Sequence, residues 1–141
     1  EIFQPQAQDQ NVEIQFSAPE SLPTVRVDPQ RLEQVIGNVI ANSLRYIQGA
    51  GRIDAVLSAT DTDVILSISD NGPGVPEDQL PYIFSRFWRS EKSRARATGG
   101  AGLGLTIARQ LVEAQGGKIE ASASDSGGLK IKLTFPRENK A

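Results

Sequence analysis

The sequence predicts a two-layer α/β sandwich, a mixed sheet of about five strands with helices packed on one face. Two kinds of periodicity, and their order along the chain, predict it. Residues 12–16, 52–58, 63–69, 118–122 and 129–135 are rich in β-branched residues or alternate apolar with polar, the pattern of half-buried strands. Residues 28–47 and 103–115 instead repeat apolar side chains at helical spacing along one face. Strands and helices do not follow a regular strand–helix–strand alternation, which favours a single sheet with its helices gathered on one side.

Residues 1–11 are polar with scattered apolar positions and read as the tail of a preceding linker or helix. The first strand, 12–16, leads through a loop holding Pro19 and Pro23 to a second short extended run at 24–27. Asp28 before Pro29 supplies an N-cap with proline at the first helical position, so a helix starts there. Leu32, Val35, Ile36, Val39, Ile40, Leu44 and Ile47 form its apolar face. Along one edge of that face run Arg31, Asn38, Asn42 and Arg45, whose spacing makes them neighbours on the helix surface. The helix stops near Gly49 and Gly51, and the strands at 52–58 and 63–69 form an antiparallel hairpin around a polar turn. The second strand runs straight into Asp70-Asn71-Gly72-Pro73-Gly74-Val75. A short helix beginning at Pro76-Glu77-Asp78 is followed by Ile83-Phe84-Ser85-Arg86-Phe87-Trp88-Arg89. Residues 90–102 show no periodicity and read as a mobile loop. The second long helix runs through Leu105, Ile107, Ala108, Leu111 and Val112 and is ended by Gly116-Gly117. Two last strands flank a turn at 125–128, and 137–141 reads as a polar C-terminal tail.

Composition narrows the function classes. The 141 residues suffice for one domain with a real core, and the net charge of −2 gives no global reason to expect a nucleic-acid partner. With no Cys, disulfides and zinc–thiolate sites are impossible. With no His, the commonest general base and the Ser–His and Cys–His arrangements are gone too. No apolar run reaches the length of a bilayer span. A chain that begins at Glu1 and contains no Met is expected to be a piece excised from something longer.

The chemistry therefore has to lie elsewhere. Asp70-x-Gly72-x-Gly74 follows a strand directly; the glycines let backbone approach a ligand closely, and the carboxylate can accept from an exocyclic amine. The same residues also make excellent turn sequence. Gly99-Gly100-Ala101-Gly102-Leu103-Gly104-Leu105 opens the second long helix, where backbone amides and the helix N-terminus suit an anion. It lacks the Gly-Lys-Ser/Thr of a Walker loop and follows a loop, not a strand, so it is no dinucleotide fingerprint either. Arg86, Arg89, Lys92, Arg94 and Arg96 sit in and just before the intervening loop, where positive charge suits phosphoryl chemistry or simply solvates a surface.

In their order, Asn38 and Asn42 on a helix, DNGPGV, IFSRFWR and GAGLGL resemble the N, first glycine, phenylalanine and second glycine boxes of the histidine-kinase catalytic domain, with Gly116-Gly117-Lys118-Ile119 like its closing glycine pair. The resemblance covers residues 12–136, which would form the ATP-binding catalytic domain, and implies the Bergerat ATP-binding fold with a flexible ATP lid at about 89–101. It implies ATP and Mg²⁺ as cofactors. Asn42 would ligate Mg²⁺, with Asn38 as a second metal ligand or a phosphate contact; Arg45 would pair with phosphate and Tyr46 pack near the adenine. Asp70 would bind the adenine amine, Gly72 and Gly74 would admit the base, and Val75 would line its pocket. Gly100, Gly102, Leu103, Gly104 and Leu105 would hold the phosphates, with Arg86 and Arg89 at the lid hinge.

Several residues depart from the family pattern, among them Arg45, which stands where the family usually has Lys. Ile47 replaces a Thr or Ser, Gln115 replaces a His before the glycine pair, and Leu129-Lys130 replace small polar residues whose hydroxyl lies near the base. Such kinases transfer the γ-phosphoryl of ATP to a His on a separate dimerisation domain, and this chain has no His. It is therefore expected to bind ATP·Mg²⁺ without autophosphorylating, the acceptor lying upstream of Glu1. The implied partners are ATP or ADP, the dimerisation (phosphoacceptor) domain and a cognate response regulator, with no nucleic acid. The implied parent is a membrane-bound homodimer, with this domain in the cytoplasm. A serine kinase of the anti-sigma-factor type and a nucleotide-binding module without catalysis are the alternatives. An ATPase clamp fits less well, because its Glu general base would stand where Asn38 does.

Overall fold

Alternation along the strands gives the sheet one apolar and one polar face, and the helices cover the apolar one. The computed structural model describes residues 12–46, 51–84, 104–125 and 127–138, the side chains of residues 45 and 46 excepted. The elements follow as β1 (Val12–Ser17), α1 (Pro29–Tyr46), β2 (Gly51–Ala59), β3 (Asp63–Asp70), a 3-10 helix (Glu77–Tyr82), α2 (Gly104–Ala114), β4 (Lys118–Ala123) and β5 (Leu129–Pro136). The five strands lie in the order β1-β2-β3-β5-β4. β1 pairs parallel with β2 and the remaining pairs are antiparallel, so the sheet is mixed, as the sequence predicts.

Register sorts the side chains. Ile53 lies opposite Asp70, Ala55 opposite Ile68 and Leu57 opposite Leu66, while Ile68 and Leu66 face Ile131 and Leu133 of β5. These positions meet α1 through Val35, Val39, Ile40 and Leu44 and α2 through Leu105, Ala108 and Val112 in one buried core. Residues between them, such as Ser67, Ser69, Lys130 and Lys132, point to the other face.

α1 begins as its sequence demands. The Asp28 carboxylate accepts the Gln30 N–H at 2.9 Å, and Pro29 takes the first helical position, where a missing N–H costs nothing. At the end of α2, Gly116 adopts φ +81, and the Gly117 N–H returns to the Val112 carbonyl at 2.9 Å, a glycine C-cap. Gly117 is also where the chain passes β5, since a Cβ there would lie 2.6 Å from the Phe135 ring.

The short extended run at 24–27 makes one ladder contact, an isolated bridge between Val25 and Arg137. Just beyond β5, Arg137 N–H donates to the Thr62 carbonyl and Glu138 N–H to the Thr24 carbonyl. Residues 23–27, with Pro at 23, thus run along the sheet end as a strap.

Candidate functional site

Asp70 ends β3 and is only 5% exposed, so its carboxylate needs donors from the protein. Three elements supply them. Oδ1 accepts the Gly72 N–H at 2.9 Å and the Leu129 N–H at 3.2 Å, and Oδ2 accepts the Ser43 hydroxyl at 2.9 Å. The loop after β3, the start of β5 and the middle of the C-terminal half of α1 therefore converge on one side chain. β5 comes this close because residue 128 lacks a side chain: a Cβ on Gly128 would sit 2.2 Å from both the carbonyl oxygen and Oδ1 of Asp70. Gly74, at φ +73, similarly faces the turn before β5, and a Cβ there would lie 2.6 Å from the Gly127 carbonyl oxygen. Val75 is half-buried against the core.

Asn38 and Asn42 are half-buried, one turn apart along the edge of the buried α1 face. Among the described residues neither amide side chain has a hydrogen-bond partner. α2 runs antiparallel to α1 and brings its N-terminus to this stripe, with a Cβ on Gly104 placed 4.0 Å from the Asn38 carbonyl oxygen. At the other end of the pair, Gln115 accepts the Asp28 N–H through Oε1 and donates from Nε2 to the Leu111 carbonyl at 3.1 Å. Thr106 donates to the Phe84 carbonyl at 2.8 Å, tying the first turn of α2 to the segment after the 3-10 helix. Leu105 is buried at 4% exposure, so what it can offer an anion is its backbone N–H, one of those left unpaired at a helix start.

Arg31 does not join this group. It is exposed, pairs with Asp28 at 3.7 Å, and lines a surface depression with Arg26, Val27, Ala114 and Gln115. Eleven residues of helix separate it from Asn42, about 16 Å. Arg45 and Tyr46 lie in the last turn of α1, their side chains outside the described residues. Arg86, Arg89, Gly100, Gly102, Leu103 and the lid at 89–101 lie outside them as well.

The sequence reading missed Ser43 and Gly128. Ser43 had a signal: it lies three residues after Ile40 and four after Val39, a polar residue inside an apolar helical face. Gly128 had none beyond turn composition, because its role depends on which strand lies beside Asp70.

The site thus offers a buried acceptor at one end. At the other it offers two half-buried asparagines on the helix that the N-terminus of α2 packs against. Residues 27–139 match the family model described as histidine kinase-, DNA gyrase B-, and HSP90-like ATPase. The chain is 42% identical over 136 residues to the signal transduction histidine-protein kinase BaeS of Escherichia coli (strain K12), matching 96% of this chain but spanning only 29% of BaeS. Among solved structures, the catalytic domain of histidine kinase ThkA aligns with TM-score 0.81 at 27% identity, covering 96% of this chain and 87% of that one. ThkA in complex with the response regulator TrrA gives 0.79 at 27% identity, covering 97% and 37%. Full-length ShkA in complex with AMPPNP gives 0.82 at 30% identity, covering 99% of this chain and 29% of that one. A buried strand-end acid, an asparagine-bearing helix and a glycine-opened helix on a five-stranded mixed sheet agree with these matches, and the chain belongs to the histidine kinase-, DNA gyrase B- and HSP90-like ATPase family as a catalytic domain of the sensor histidine kinase type.

Proposed function

We propose that this domain binds ATP with Mg²⁺ and presents the γ-phosphoryl group to a histidine on a separate dimerisation domain of its parent kinase. The observation that carries the reading is the double engagement of α1. Through Ser43 it bonds the buried acid at β3's end, and at Asn38 its backbone lies alongside the N-terminus of α2, a Cβ on Gly104 falling 4.0 Å from the Asn38 carbonyl oxygen. A ligand lying along that helix meets an acceptor for an exocyclic amine at one end and groups for phosphate at the other. That polarity matches adenosine triphosphate.

The donor set fits the metal. Mg²⁺ takes oxygen ligands and keeps phosphates and waters in its shell, so it needs few groups from the protein. The amides of Asn38 and Asn42, without hydrogen-bond partners among the described residues, would be the groups that hold it. When bound, the ion neutralises charge on the phosphate oxygens. The chain's own contribution is positioning: Asp70 fixes the base, and the α2 N-terminus draws the phosphates toward Gly104. With no His anywhere, the chain leaves the acceptor to its partner.

The rest of the assembly follows from the same reading. A response regulator would take the phosphoryl group onward, and the parent would be a membrane-bound homodimer with this domain on the cytoplasmic side. Among the described residues no helix is long and apolar enough to cross a membrane. The test is to mix this chain with the parent's separately produced dimerisation domain and γ-labelled ATP. Label should appear on the dimerisation domain, be lost in acid and survive base. Acid-stable label, or none despite nucleotide binding by calorimetry, would overturn the kinase reading.

A further inference from the structure

We infer that Ser43 is a positioning residue for base recognition: its hydroxyl aims the Asp70 carboxylate and thereby sets how strongly the site prefers a purine bearing a 6-amino group. The inference rests on the ATP reading and goes beyond it by assigning selectivity to a residue outside the expected site. Ser43 is 3% exposed and its hydroxyl donates to Asp70 Oδ2 at 2.9 Å. The Gly72 and Leu129 N–H groups both address Oδ1.

This division of labour matters because a carboxylate held at one oxygen can still turn about the bond to its Cβ. Backbone donors fix Oδ1, and Ser43 is the side-chain donor that fixes Oδ2, so together they set the plane of the group. That plane determines where an acceptor lone pair meets an incoming N–H, and hydrogen bonds weaken steeply with angle. Ser43 can hold it firmly because it sits in the interior of α1, flanked by the buried Leu44, with its own movement limited by core packing. It also supplies from the helix the hydroxyl that the residues at the start of β5, Leu129 and Lys130, do not carry.

The experiment measures binding of ATP and of purine riboside triphosphate, which lacks the 6-amino group, to the whole chain with Mg²⁺ present. Three forms are compared: the native chain, Ser43→Cys and Ser43→Ala. The native chain should prefer ATP by at least about tenfold, since a site built around a donor rejects the analogue lacking it. Ser43→Ala should cut that preference by about five- to tenfold, the scale of one hydrogen bond. Ser43→Cys, of similar size but a weak donor, should fall between them. Because each ratio is taken within one variant, general loss of stability or of phosphate binding cancels. A native chain without preference would overturn the assignment of the base to Asp70. A native preference that Ser43→Ala leaves intact would overturn the role of Ser43 while leaving that assignment standing.

Discussion

The acid corner and the amide stripe both border the same stretch of α1, yet they are built on opposite principles. Asp70 is buried and held by donors from different parts of the fold, Ser43, Gly72 and Leu129 among them, with Gly128 pressed against it so closely that a methyl group would collide. Asn38 and Asn42 stand half-exposed with no partners among the described residues, positioned only by the helix that carries them. On the proposed reading, the difference teaches where each kind of recognition would get its strength. Reading a base requires an acceptor whose direction is already set, because misalignment removes the hydrogen bond that distinguishes one base from another. Receiving a metal–phosphate group requires oxygens that are free to join a shell completed by the ligand and by water.

Substitutions at the two regions should therefore fail in different ways. Asp70→Asn should produce the largest loss: an amide in place of the acid presents a donor where an acceptor is needed, and ATP affinity should drop by about 100-fold or about 2.7 kcal/mol. Calorimetric titration reads it, and an Asp70→Asn chain that binds ATP within threefold of native would remove the acid from the site. Gly128→Ala attacks the same corner from the sheet. Driving a Cβ into Asp70 should destabilise the fold by about 2–3 kcal/mol in urea unfolding and weaken ATP binding in parallel. Unchanged unfolding would mean that the close approach at Asp70 is not maintained in solution.

The stripe should behave otherwise. Asn42→Ala should weaken ATP binding about tenfold, about 1.4 kcal/mol, with Mg²⁺ present, and by less than about twofold in excess chelator. Equal losses in both buffers would place Asn42 on the phosphates and not on the metal. Smallest of all, Gln115→Ala removes a clasp between the helices at the end far from the acid. A stability loss of about 1 kcal/mol with nucleotide affinity unchanged is expected from thermal unfolding and titration together. If affinity moved with stability, the two helices would have to be coupled along their whole length.

Much of this was legible from local pattern. Periodicity placed the start of α1 to within one residue, and the Asp28-Pro29 start is made by the capping bond the sequence implied. Strand alternation gave the five strands because their faces really do divide between core and solvent. The run at 24–27 marks the limit of such patterns: Val25 and Val27 alternate like a strand, yet the run's bridge joins Val25 to Arg137 beyond the last strand. Alternation reports which face is buried, not whether a neighbour offers a ladder of hydrogen bonds. At the proposed site, Asp70 and the two asparagines were candidates from residue type and spacing alone. Ser43, Gly128 and the backbone of Leu129 were not, because each matters through contact with a carboxylate 27 to 59 positions away along the chain.

One consequence of the double engagement of α1 concerns length. Five residues separate Asn38, beside the start of α2, from Ser43, bonded to the acid. An α-helix rises about 1.5 Å per residue, so these two anchor points stand about 7.5 Å apart along its axis. Backbone hydrogen bonds hold that interval fixed while loops and side chains around it adjust. The helix is thus a gauge as well as a wall: it compares whatever lies along it with a span that does not stretch, and a ligand must reach from one mark to the other to engage both.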